Sequence, residues 1–120
     1  MRELIKALKS LSDETRLRIL NLLLERECCV CEVMQALNIS QTRASRNLSI
    51  LYDAGFLKLR KEGLWSLYSL NREEAPEYFP ELVEGIQQAL AGNKAAAQDR
   101  ERLARAERVG PACVRCQTGR

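Results

Sequence analysis

The chain has 120 residues and not one histidine. That absence removes the commonest general base and the commonest metal ligand, so any ion held here must be held mainly by sulfur. Long apolar runs are missing too. At the N-terminus Arg2, Glu3, Lys6 and Lys9 interrupt Leu4, Ile5, Leu8 and Leu11, unlike the unbroken apolar stretch of a signal peptide or a membrane span. The expected location is therefore the cytoplasm, with no membrane partner. There is no glycine-rich phosphate cradle and no strand-helix alternation, so the scaffolds expected of a thiol-based enzyme are absent and no catalytic residue is assigned. Internal repeats and low-complexity linkers are absent as well. The net charge is only +3, so its distribution, rather than its size, must argue for any nucleic-acid partner.

What is present begins with apolar content, 46% of the chain. That suffices for one compact domain whose small core a second copy would help to stabilise. There are also five cysteines, three of them crowded as Cys28, Cys29 and Cys31 in the stretch ERECCVCEVMQAL, with Cys113 and Cys116 near the end. In a reducing compartment, an odd and clustered set fits a ligand or redox site better than a disulfide framework.

Periodicity predicts mostly helices. Leu4, Leu8 and Leu11 share one face of a first helix. A second starts with Ser12 as N-cap and Asp13 and Glu14 in its first turn, carries Leu17, Leu20, Leu23 and Leu24 as a core stripe, and runs to about Glu27. A short third helix spans about Cys29 to Leu37, with Val30, Val33, Met34 and Leu37 on its apolar side. Asn38-Ile39-Ser40 interrupts it, and Ser40 caps a fourth.

In that fourth helix each residue turns by about 100°. Leu48 and Leu51 stay near Ala44, while Thr42, Arg46 and Ser49 fall opposite and Gln41 and Ser45 lie on the flank. A polar face of Gln, Thr, Ser and Arg supplies hydrogen-bonding groups suited to base edges and phosphates. Gly55 closes the helix. Residues 56–61 and 64–70 then read as two strands joined at Glu62-Gly63, a tight hairpin that carries Lys58, Arg60 and Lys61 near its tip.

Short helix, break, polar-faced helix and basic hairpin form the order of a winged helix-turn-helix, a mostly α fold with a small β-hairpin. Its partner would be double-stranded operator DNA. Ser40, Gln41, Thr42, Arg43, Ser45, Arg46 and Ser49 are the candidate contacts of the reading helix, and Lys58, Arg60 and Lys61 those of the wing. One or two further helices are expected over residues 72–108, broken near Pro76 and Pro80 and striped by Leu82, Val83, Ile86 and Leu90. The N- and C-terminal helices are surplus to a small winged core, and a twofold interface is the economical use of their apolar stripes. Residues 1–108 are expected to form the repressor domain with its dimerisation helices, and residues 109–120 an irregular, mobile tail that bears Cys113 and Cys116.

The segments SDETRLRILNLLLERE, CVCEVMQALNISQTRASRNLSILYDAGFL and KEGLWSLYSL resemble the second helix, the metal-box and recognition region, and the wing of the ArsR/SmtB family of metal-responsive bacterial repressors. Most specific is Glu27-Cys28-Cys29-Val30-Cys31-Glu32-Val33, similar to that family's E-x-C-V-C-D-L box. The resemblance implies a homodimer that represses a resistance operon and leaves its operator when a toxic ion binds. Within the family the C-V-C box serves sensors of arsenite and antimonite, and also sensors of cadmium, lead or zinc. The arsenical branch often has a further cysteine where this chain has Met34, and many members have histidine where it has Asn47. A second metal site built from Asp and His on the last helix cannot form normally without histidine, which disfavours zinc.

Cys29 and Cys31 flank Val30 at a helix start, where unpaired N–H groups and the positive dipole end favour the thiolate that soft ions select. Trivalent arsenic or antimony, the expected inducers, want three sulfurs. Cys28 is the nearest third, with Cys113 and Cys116 as rivals, conceivably from the other subunit. A cadmium or lead sensor of the same fold and a thiol-based redox-sensing repressor are the alternatives.

Overall fold

In the computed structural model residues 1–108 are described. The expectations for Cys113, Cys116 and the tail, and the domain boundary placed after residue 108, lie outside the described residues. The chain forms α1 (Arg2–Leu11), α2 (Glu14–Glu25), β1 (Cys28–Cys29), α3 (Val30–Leu37), α4 (Gln41–Asp53), β2 (Leu57–Glu62), β3 (Trp65–Leu70), α5 (Phe79–Leu90) and α6 (Lys94–Arg105). Among these no helix is long and apolar enough to cross a membrane.

Local chemistry sets the element ends. Asp13, not Ser12, caps α2: its carboxylate accepts the Arg16 N–H at 3.0 Å, since an acceptor one residue closer to the first turn reaches the orphan donors better. The helix ends at Glu25 rather than Glu27 because Arg26 is already extended. Asn38 ends α3 in the left-handed conformation at φ 57°, which Asn tolerates better than most side chains. Ser40 Oγ then accepts the Arg43 N–H at 3.2 Å and starts α4. Gly63 and Leu64 are the two central residues of the hairpin, one position later than the sequence suggests, between the paired Glu62 and Trp65. Gly63 alone of the two has positive φ, at 62°, the pattern of a type II′ turn.

The sheet has three antiparallel strands in the order β1-β3-β2, not two. Cys28 faces Tyr68 and Cys29 faces Leu67. A two-residue strand leaves no period to read in a sequence, and only its distant partner makes it a strand. Because of that pairing the cysteine stretch is hydrogen-bonded to the wing.

One core joins the elements. Ile19, Leu20, Leu22 and Leu23 of α2 lie beneath Val33, Ala36 and Leu37 of α3, Ala44, Leu48 and Leu51 of α4, and Leu67 of β3, all buried. Each such Leu or Ile contributes about 1.5–3 kcal/mol by leaving water. Phe56 stacks on Phe79 with centroids 5.5 Å apart, fastening the base of the wing to α5. Of the first helix only Ala7, Ser10 and Leu11 are buried, while Leu4, Ile5 and Leu8 remain 40%, 45% and 49% exposed. The stripe is therefore only partly used within one chain.

Candidate functional site

Between α2 and α3 the chain passes through Arg26 and Glu27, and then through the cysteines. Cys29 is the N-cap of α3 and Cys31 sits in its first turn. Their Sγ atoms are 3.1 Å apart, too far for a disulfide and close enough for both to bond one centre. Cys31 Sγ also lies 3.7 Å from the Glu107 carbonyl oxygen. The third thiol does not converge on them. Successive strand side chains leave on opposite faces, and the Cys28 thiol turns away to donate to the Arg26 carbonyl at 3.4 Å. Burial pushes that thiol up to about 12, and the nearby Glu32 carboxylate adds to the shift, so Cys28 stays protonated near neutral pH. Among the described residues no group of three or more Cys, Asp or Glu is arranged to hold a metal ion.

The sequence reading missed the carboxylate at the centre of this region. Glu32 is 3% exposed and its Oε1 accepts the Cys29 N–H at 2.8 Å. Arg26 Nη1 donates to Oε2 at 2.8 Å and Arg108 Nε to Oε1 at 3.2 Å. Burial pushes the carboxyl up, but the Cys29 amide and the two guanidinium groups outweigh it and hold Glu32 below the usual carboxylate range. A capping-box spacing, N-cap to Glu three residues on, was the available signal, disguised by a cysteine in the cap position. Arg26 also donates to the Leu103 carbonyl at 3.0 Å. Fully buried Asp99 on α6 receives Arg18 of α2 through two bonds, at 2.7 and 2.8 Å, and Arg102 at 2.7 Å. The thiol segment is thus tied to the last helix by the Arg26 hydrogen bond and to the chain just past it by the Glu32–Arg108 ion pair, links that composition does not reveal.

The reading helix is next in the chain. On α4, Ala44, Asn47, Leu48 and Leu51 are buried, whereas Thr42, Arg46 and Ser49 are exposed. Gln41 Nε2 donates to Ser45 Oγ at 2.8 Å, which orders the flank of that face. Ser40 is committed to the helix cap. Arg43 reaches back to Thr15 Oγ1 at 2.8 Å. Asn47 faces inward: its Oδ1 accepts Arg16 Nη1 at 3.0 Å and its Nδ2 donates to the Arg43 carbonyl at 2.9 Å. It joins α4 to α2 instead of facing outward. On the wing Lys58 pairs with Glu73 at 3.0 Å, Arg60 with both Glu27 and Glu62, and Lys61 donates to Ser66 Oγ at 3.0 Å. All three basic side chains are exposed and lie on one strand, β2.

Residues 13–59 match the family model described as bacterial regulatory protein, arsR family. The chain is similar to two arsenic resistance transcriptional regulators of Pseudomonas putida KT2440. With ArsR1 it shares 39% identity over 90 residues, 72% of this chain and 70% of that protein. With ArsR2 it shares 46% over 82 residues, 68% and 70% of the two. Its fold resembles the homodimeric winged helix-turn-helix DNA-binding domain Mb0332 of Mycobacterium bovis with a TM-score of 0.64 at 28% identity, covering 78% of this chain and 82% of that one. The chain belongs to the arsR family of bacterial regulatory proteins, and it is a winged helix-turn-helix transcriptional repressor rather than an enzyme.

Proposed function

We propose that the protein represses an arsenical-resistance operon as a homodimer and leaves its operator when As(III) or Sb(III) is bound by cysteine sulfur. The observation that carries the reading is the Cys29–Cys31 pair, 3.1 Å apart, at the start of the helix that packs on α4. Sulfur is the ligand soft ions select, and the relatives' names point to arsenic. Arsenous acid reacts with three thiols to form three As–S bonds and three waters, with no change of oxidation state. Cys29 and Cys31 supply two of the sulfurs; Cys113 or Cys116 supplies the third in preference to Cys28, whose thiol is turned toward Arg26.

In the ion-free dimer two α4 helices enter successive major grooves about 34 Å apart. Gln41, Thr42, Ser45 and Arg46 face base edges, Ser40, Arg43 and Ser49 border them, and Lys58, Arg60 and Lys61 approach phosphates. Leu4, Ile5 and Leu8 of α1, with the outer faces of the C-terminal helices, supply the twofold interface. Coordination fixes residues 29 to 31 in a new geometry. That strain has two short routes to DNA: through α3 into α4, and through the β1–β3 ladder into the wing. Coupling of about 1–3 kcal/mol would lower operator affinity roughly 5- to 150-fold.

The test is operator release measured with arsenite, antimonite, cadmium, lead and zinc. Cys29→Ser and Cys31→Ser should bind operator normally and ignore arsenite. Release of either variant by arsenite rejects the sulfur assignment; release of the wild type by cadmium or lead alone transfers the site to those ions.

A further inference from the structure

The guanidinium of Arg16, in the first turn of α2, is shared between two other helices. Its Nε donates to the Ser10 carbonyl at 2.5 Å and its Nη2 to the Lys9 carbonyl at 3.5 Å, both in the last turn of α1. Carbonyls there carry the negative end of the helix dipole, so a cation both caps α1 and holds its end. The remaining Nη1 crosses to α4. It donates to Asn47 Oδ1 at 3.0 Å, and the Asn47 amide is itself fixed because its Nδ2 donates to the Arg43 carbonyl at 2.9 Å. One planar fork thus joins the end of α1 to the middle of the reading helix.

Packing leaves the angle between those helices loosely set. Of α1 only Ala7, Ser10 and Leu11 are buried. Beside them an open cleft of about 690 Å³ lies between Ile5, Lys6 and Lys9 of α1 and Ile50 and Asp53 of α4, with Arg16 in its wall. Where side chains do not interdigitate, directional bonds decide how two helices cross. Arg43 adds a tie from α4 to Thr15 Oγ1 at 2.8 Å, but it reaches the start of α2 rather than α1.

We infer that Arg16, acting through Asn47, is a positioning residue for operator selection: it fixes α4 against α1 and so sets the half-site spacing that the dimer accepts. The inference rests on the homodimeric reading, with Leu4, Ile5 and Leu8 of α1 in the twofold interface. One base pair added between half-sites turns one of them by about 35° and moves it by about 3.4 Å. A stiff link rejects that change and a loose one tolerates it. A hydrogen bond from a charged donor is worth roughly tenfold in an equilibrium, so the preference for the native spacing should shrink by that factor when the link is cut.

The experiment measures ion-free binding to three kinds of DNA. These are the palindromic duplex that wild type selects from random-sequence DNA, the same duplex with one base pair inserted or removed between its half-sites, and a single half-site. Arg16→Lys keeps a cation at the end of α1 without the fork, and Asn47→Ala removes the acceptor on α4. Each variant should bind the half-site as wild type does and lose most of its discrimination between spacings, and the double variant should lose no more than either. Equal losses on all the duplexes would make Arg16 a support of the fold alone and overturn the inference. Undiminished discrimination in either variant overturns it as well, as do losses that add in the double variant. Sedimentation of Leu8→Asp tests the interface separately, and its dissociation to monomers is the expected result. A Leu8→Asp protein as dimeric as wild type, or a wild type that selects no paired half-sites, sinks the homodimeric reading and the inference with it, through outcomes in which the link has no part.

Discussion

The carboxylate of Glu27 holds the guanidinium of Arg60 through two bonds, at 2.7 and 2.8 Å, across 33 positions of sequence. Glu27 immediately precedes Cys28, and Arg60 lies on the wing, so a side chain expected at DNA is latched to the edge of the thiol segment. Arg60 also pairs with Glu62 at 2.9 Å. The bond from Arg60 holds the Glu27 carboxyl below its usual range. Glu27→Gln should release part of this hold and let Arg60 turn to a phosphate. Operator affinity measured over a salt series should then fall more steeply, by about 0.9 in log-log slope for each added contact. An unchanged slope would show that the Glu27 pair does not keep Arg60 from the backbone.

Arg46 is an exposed cation at the centre of the α4 face. Arg46→Ala should cost about 1–3 kcal/mol of operator binding if it reads a base, with relaxed preference at one position of each half-site. A uniform loss across all sequences would make it a phosphate contact instead.

Glu32 should govern acid stability. Its carboxyl lies below the ordinary value of 4.5, so the unfolded chain takes up its proton first. The stabilisation is therefore complete above pH 4.5 and disappears as pH falls through the lower folded value. Glu32→Gln should be less stable near neutral pH, by about 3 kcal/mol for a broken buried pair, and the gap from wild type should narrow in acid. Parallel urea curves at all pH values would refute this.

Cys28 makes the opposite case. Its thiol moves from 9.0 to about 12, so above pH 9 the unfolded chain loses a proton that the folded chain keeps. Stability should decline by up to about 1.4 kcal/mol per pH unit between pH 9 and 12, and Cys28→Ala should remove that part of the decline. The same variant should still leave its operator in arsenite. A Cys28→Ala protein that no longer responds would restore Cys28 as a ligand.

Asp99 joins α6 to α2 through Arg18 and to its own helix through Arg102, whose Nε also donates to the Ala36 carbonyl of α3 at 2.7 Å. Asp99→Asn leaves two cations without their shared anion. Denaturation should show a loss of about 3 kcal/mol. A loss under 1 kcal/mol would show that the cluster is dispensable.

Much of this architecture was legible in advance because it rests on local pattern. The α4 face computed from Ala44 has the inward and outward sides that the fold displays, since a helix that must bury Leu48 and Leu51 has no other way to turn. Ser40, Asn38 and Gly63 mark boundaries because their backbone and side-chain preferences are intrinsic. The C-V-C spacing and the absence of histidine pointed to sulfur without any coordinates.

Long-range pairing was invisible. Two residues cannot announce β1, whose existence depends on Leu67 and Tyr68; that strand alone sends Cys28 and Cys29 to opposite sides. Nothing near Asn47 foretells Arg16. The order of residues was enough for the helices, the wing and the polar outer face of α4, because period, caps and side-chain type act over a few positions. Which two sulfurs meet, which carboxylate holds which arginine and where the chain after α6 is docked were set by packing. Most of those contacts join residues more than 30 positions apart, and the sulfur pair takes its geometry from a strand that exists only through them, so all depend on how the shared core brings its helices together.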